Sequence, residues 1–82
     1  MHIGGVLLGA GMELDLTPGD YLHGDSLIRF TIEHIIETRR EGDTDWIVMT
    51  GMEHPSASTP WRSRRLQVRV AALRRSLQLG LL

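Results

Sequence analysis

Four histidines, ten carboxylates and nine arginines are the groups of this 82-residue chain that could do chemistry, and there is no cysteine. A metal site would want imidazole or carboxylate ligands at short, regular spacings. His2, His23, His34 and His54 are far apart, and no pair has the spacing of a common zinc motif. His34 falls in the apolar phase of its segment, where a hydrogen-bonded core or rim histidine is expected. No metal is assigned. His23-Gly24-Asp25-Ser26 contains three triad residue types. A triad needs them to converge from separate backbone positions beside an oxyanion hole, which four consecutive residues cannot provide. The tetrapeptide reads as a turn. The carboxylate pairs Glu13/Asp15 and Glu33/Glu37 sit in outward phase, where solvent or a cross-strand cation is the expected partner. Gly4-Gly5 and Gly9-Ala10-Gly11 are not followed by the Gly-Lys-Ser/Thr of a phosphate loop, so no nucleotide or other cofactor is implied.

The arginines remain. Every basic residue is Arg, and the net charge is only −1. The charge is unevenly placed. Residues 1–53 hold all ten acidic groups against Arg29, Arg39 and Arg40, a net of −7; residues 54–82 hold six arginines and no acid. Such a split suggests an anionic partner. It equally suggests that acidic and basic strands lie side by side, with Glu13 and Asp15 opposite Arg65 and Arg69, and this second reading is preferred. Trp61 adjoins Arg62, Arg64 and Arg65, and Arg69 extends the same run. An indole beside guanidinium groups is a combination that stacks bases while holding phosphates. A net charge near zero and only four aromatic residues weigh against nucleic acid as the first choice.

The elements that must position these groups are mostly strands, because apolar residues recur with period two. Met12 to Thr17 alternates cleanly and ends at the turn Pro18-Gly19-Asp20. Leu27 to Thr38 places Ile28, Phe30, Ile32, His34 and Ile36 on one face, with Ile35 out of phase. Arg39 to Thr44 is a Gly-containing hairpin connection. Trp46 to Met52 returns, with Trp46, Val48, Thr50 and Met52 in phase. Residues 54–60 hold two prolines and form a loop. Arg62 to Val70 alternates again, Leu66, Val68 and Val70 inward. Ala71 to Leu82 changes to good helix formers, with Gly80 as a stop. The Gly-rich start reads as a leading strand with a bulge at Gly9 or Gly11 or as a frayed end, and the consecutive Val6-Leu7-Leu8 favours the buried strand.

This order resembles SH3-like small barrels over roughly residues 12–73. The resemblance rests on Leu16-Thr17-Pro18-Gly19-Asp20-Tyr21 leading into the long strand, and on the closing Leu66-Gln67-Val68-Arg69-Val70-Ala71-Ala72-Leu73. The expected fold is a mainly β single domain over residues 1–82, with its core over about 6–73 and an apolar tail over 74–82. It is a small antiparallel five-stranded SH3-like barrel or rolled sheet with a short C-terminal helix. Such a fold fixes no function. Ile35, Ile47 and Met49 fall on strand faces that otherwise read as exposed, and Leu79, Leu81 and Leu82 end the chain, so these six are the candidate apolar interface. The chain is expected to be a non-catalytic protein-interaction or assembly module, self-association included. It would use these apolar edges and the arginine-rich strand. The alternative is a nucleic-acid binder using Trp61, Arg62, Arg64, Arg65 and Arg69. Met1 to Met12 is too short to span a bilayer and lacks the basic start of a signal peptide, which makes the cytoplasm the expected location.

Overall fold

A computed structural model describes residues 2–54 and 60–76. Strand β1 (His2–Ile3) and strand β2 (Val6–Leu7) form a hairpin that pairs Ile3 with Val6. Gly4 and Gly5 make its two-residue turn with φ of 60° and 80°. This is the twin positive-φ pattern of a tight hairpin turn, which glycine adopts without strain. Ile3, Val6 and Leu8 are buried, so the leading segment is indeed packed strand. The predicted bulge falls at Gly11 (φ 90°). Met12 N–H donates to Gly9 O, Gly11 N–H donates to Ile32 O, and Ile32 N–H donates to Met12 O. A turn with glycine at its third position thus runs straight into a glycine bulge and delivers the chain into the main sheet.

That sheet contains β3 (Glu13–Leu16), β4 (Ile28–Glu41), β5 (Thr44–His54) and β6 (Arg62–Arg69), antiparallel and in sequence order. It curls into a half-barrel. Just past β3 and the 3-10 turn Pro18–Asp20, Tyr21 bridges Val68 of β6, and Leu22 N–H donates to Gln67 O at 2.8 Å. The main sheet therefore has four strands, with the leading residues in a separate hairpin. Behind β6 the chain makes a 3-10 turn, Val70–Ala72, and one short helix, α1 (Leu73–Ser76). No helix among the described residues is long and apolar enough to cross a membrane.

The inner face carries Leu14 and Leu16 of β3, Phe30 and Ile32 of β4, Ile47 and Met49 of β5, and Leu66 and Val68 of β6, sealed by Leu73. Two expectations fail here. In β4 the alternation holds through Ile32 and then breaks, because Glu33 and Ile36 are extra residues at two irregularities in the β4–β5 register. Each insertion turns the following side chains over. Ile35 consequently packs against the core, while His34 and Ile36 are exposed. In β5 the in-phase set Trp46, Val48, Thr50 and Met52 lies on the outer face. Ile47 and Met49, expected at an exposed interface, are fully buried opposite Val68 and Leu66. Both faces of β5 are apolar, so alternation alone could not choose between them, and pairing with its neighbours does. Gly51 marks the tightest approach. A Cβ there would lie 2.0 Å from Thr31 O and 2.9 Å from the Phe30 ring, so the bulged β4 is accommodated only by glycine.

Candidate functional site

The alternation of β6 deals its arginines to two sides of the sheet. Arg62 and Arg64 share the inner phase with Leu66 and reach Glu53, which sits opposite Phe30 at the end of the core and is 1% exposed. Arg62 Nε donates to Glu53 Oε2 at 2.8 Å, and Arg64 Nη1 donates to Glu53 Oε1. The Arg64 guanidinium also lies over the Tyr21 ring, 5.7 Å from its centroid. A carboxylate this deep would be costly without such partners. The two arginines therefore serve the fold first.

Asp20 is the second buried carboxylate. It accepts from Thr17 N–H at 2.8 Å and from both Nη atoms of Arg75, tying the turn after β3 to α1 across 55 residues of sequence. Burial pushes the Asp20 carboxyl up, but the hydrogen bonds from Arg75 and Thr17, with the Arg75 charge, outweigh it and hold its pKa below the ordinary 3.8. The same hydrogen bond and charge raise the pKa of Arg75.

Arg65 and Arg69 are different. They project from the outer face of β6, opposite Thr50 and Trp46 of β5, and among the described residues they make no ion pair. Trp46 is in turn opposite Arg39 of β4, so the register sets a tryptophan between two arginines across three strands. Arg39 is held only loosely, 3.8 Å from Glu37 and 3.7 Å from Glu41. At the other end of this face Trp61 is 64% exposed and meets the His54 ring edge-on at 3.6 Å, with His54 Nε2 3.1 Å from Thr31 Oγ1. The expected pairing of Glu13 and Asp15 with Arg65 and Arg69 does not occur. β3 and β6 are at opposite edges of the four-stranded order, and Asp15 pairs instead with Arg29 at 3.2 Å.

The five predicted contact residues thus divide. Trp61, Arg65 and Arg69 are presented outward, while Arg62 and Arg64 are committed to Glu53. Of the predicted apolar interface, Ile47 and Met49 are core, Ile35 packs against it, and Leu79, Leu81 and Leu82 lie outside the described residues. Among the described residues the exposed large apolar side chains are instead Leu7, Leu22, Leu27, Ile36 and Trp61, spread over the first hairpin, the loop after β3, the second β4 bulge and the start of β6. Arg39 and Trp46 were not singled out from the sequence. Counting back from a two-residue Gly42-Asp43 turn would have placed them opposite each other. In the turn His23-Gly24-Asp25-Ser26, Ser26 Oγ lies 3.4 Å from Asp25 Oδ1, and the Tyr21 hydroxyl donates to Ser26 O at 2.8 Å. These bonds fasten the loop. No group of three or more metal-ligating side chains occurs among the described residues. Comparison of the chain with protein-family models, with curated proteins and with solved structures finds no match.

Proposed function

We propose that the chain is a non-catalytic interaction module that binds an acidic segment of a protein partner on the outer face of β5 and β6. The observation that carries this reading is the pair Arg65 and Arg69. They are four apart on one strand, on the same face, and without an ion pair among the described residues. Arg62, Arg64 and Arg75, by contrast, are neutralised by two buried carboxylates. Guanidinium groups recognise carboxylates through paired N–H donors, and Trp46 adds an amphipathic surface between Arg69 and Arg39. The SH3-like reading of the strand order belongs to the same proposal, with the Tyr21–Val68 bridge as the contact that would close the barrel.

A second reading, binding of single-stranded nucleic acid, is favoured by one observation, the exposed Trp61 at the end of the same face. Fluorescence anisotropy separates the two. A labelled glutamate-rich peptide and a labelled eight-nucleotide single strand would each be titrated at low and moderate salt. The peptide should bind, and Arg65→Glu with Arg69→Glu should abolish its binding. Retention of the oligonucleotide with a steep salt dependence, and loss of that retention in Trp61→Ala, would replace the first reading by the second.

A further inference from the structure

A half-open cavity of about 300 Å³ lies where β6 meets the turn at Leu22. Its base includes Val48 and Leu66, each 3% exposed. Its charged or titratable lining is His23, Arg39, Arg64 and Arg65, and no Asp or Glu lines it. Gln67, also on the lining, has a buried Nε2 with no hydrogen-bond partner among the described residues. Buried amide donors are nearly always satisfied, and one left open beside several cations points to an acceptor supplied from outside. The lining arginines are not equivalent. Arg64 is engaged by Glu53 and Arg39 is shared loosely between two glutamates, whereas Arg65 forms no ion pair among the described residues. His23 stands on the exposed rim with a left-handed backbone (φ 60°).

Resting on the acidic-partner reading above, we infer that this cavity seats one carboxylate side chain of that partner. Arg65 grips the two oxygens, Gln67 turns its covered Nε2 toward the cavity to donate a further hydrogen bond, and Leu22 and Val48 cover the methylene stem. The volume is at the small end for ligand sites and is ample for a single side chain. Arg69, outside the cavity lining, contributes attraction along the strand without touching the seated group.

The test follows the Gln67 side-chain amide and the Arg65 Nε–H by ¹H–¹⁵N NMR on the full chain at constant ionic strength. Three probes are used: the glutamate-rich peptide, glutarate and inorganic phosphate. Peptide and glutarate should both shift these signals saturably. Arg65→Gln should weaken both probes by about tenfold or more, as expected for a lost charge-assisted pair. Arg69→Gln should weaken the peptide alone. If the peptide binds while the Gln67 amide stays still, and Arg65→Gln is no worse than Arg69→Gln, the cavity is not the seat and the acidic-partner reading survives. If the peptide moves no signal at all, that reading falls and the seat with it. Saturation by phosphate with no response to glutarate would overturn the carboxylate assignment. Unchanged dispersion of the variants' spectra shows that they are folded.

Discussion

Arg64 and Arg65 are adjacent residues of one type on one strand, yet they meet opposite environments. Arg64 points inward, is less than one-third exposed and completes the neutralisation of Glu53; Arg65 points outward and is unpaired among the described residues. Strand alternation makes the difference, because successive side chains leave a strand on opposite faces. Residue identity therefore says little about an arginine's role in this chain, and the parity of its position on β6 says most of it. Inward arginines should be worth stability and outward ones binding.

The largest expected effect lies on the inward side. Glu53→Ala leaves Arg62 and Arg64 without their acceptor and opens space beside Phe30. It should cost about 2–4 kcal/mol, the lower end reflecting the solvent available to Arg62. For a domain of this size that lowers Tm by roughly 10–20 °C, measurable by thermal unfolding followed by circular dichroism. A loss under about 0.5 kcal/mol, the usual range for an unremarkable surface change, would break the comparison at its stronger end.

Asp20 sharpens the comparison through pH. Its carboxyl titrates lower in the folded chain than in the unfolded one, so in acid the unfolded chain takes up the proton first. The stability contributed by the Asp20–Arg75–Thr17 cluster is fully present above the unfolded value of 3.8 and is lost as the pH falls through the lower folded one. Asp20→Asn should therefore cost about 1–2 kcal/mol near neutral pH, a modest figure because Arg75 is largely solvated. In urea unfolding series the gap between the two proteins should stay constant down to about pH 5 and close below pH 4. A gap that persists unchanged at pH 2 would mean that the carboxylate's charge is not what holds the turn to α1.

Much of the fold could be read from residue order, for reasons tied to particular elements. β3 and the second half of β6 each have one apolar and one polar face, so alternation fixes their orientation, and the Pro18-Gly19-Asp20 and Gly42-Asp43 turns use residues that suit their backbone. β5 could not be read this way. Trp46, Val48 and Met52 compete with Ile47 and Met49 for the core, and only the pairing of Met49 with Leu66 and Ile47 with Val68 decides. The β4 bulges at Glu33 and Ile36 have no local signature, since they show only in the register between β4 and β5. For the candidate site, Trp61, Arg65 and Arg69 were visible from the arginine run. Gln67, Arg39, Leu22 and His23 were not, because they converge only through the curl that brings Tyr21 to β6.

The smallest expected effect on stability is on the outward side, and it is the most discriminating. Arg65→Ser and Arg69→Ser remove guanidinium groups that are bonded to no carboxylate among the described residues, so each should change stability by within about 0.5 kcal/mol. Arg69 is opposite Trp46, a pairing in which an aliphatic arginine stem can cover apolar surface, so of the two it should show the larger change. Removing both also takes two positive charges from an outer face that they share with Arg39, which relieves like-charge repulsion and offsets part of the lost packing. A double variant as stable as the parent, with its binding of the glutamate-rich peptide gone, would place these two arginines among groups kept for recognition. A double variant destabilised as much as Glu53→Ala would show instead that they have acceptors in the folded chain. The outward arginines would then belong to the same structural class as Arg62 and Arg64, and the distinction drawn from strand parity would disappear.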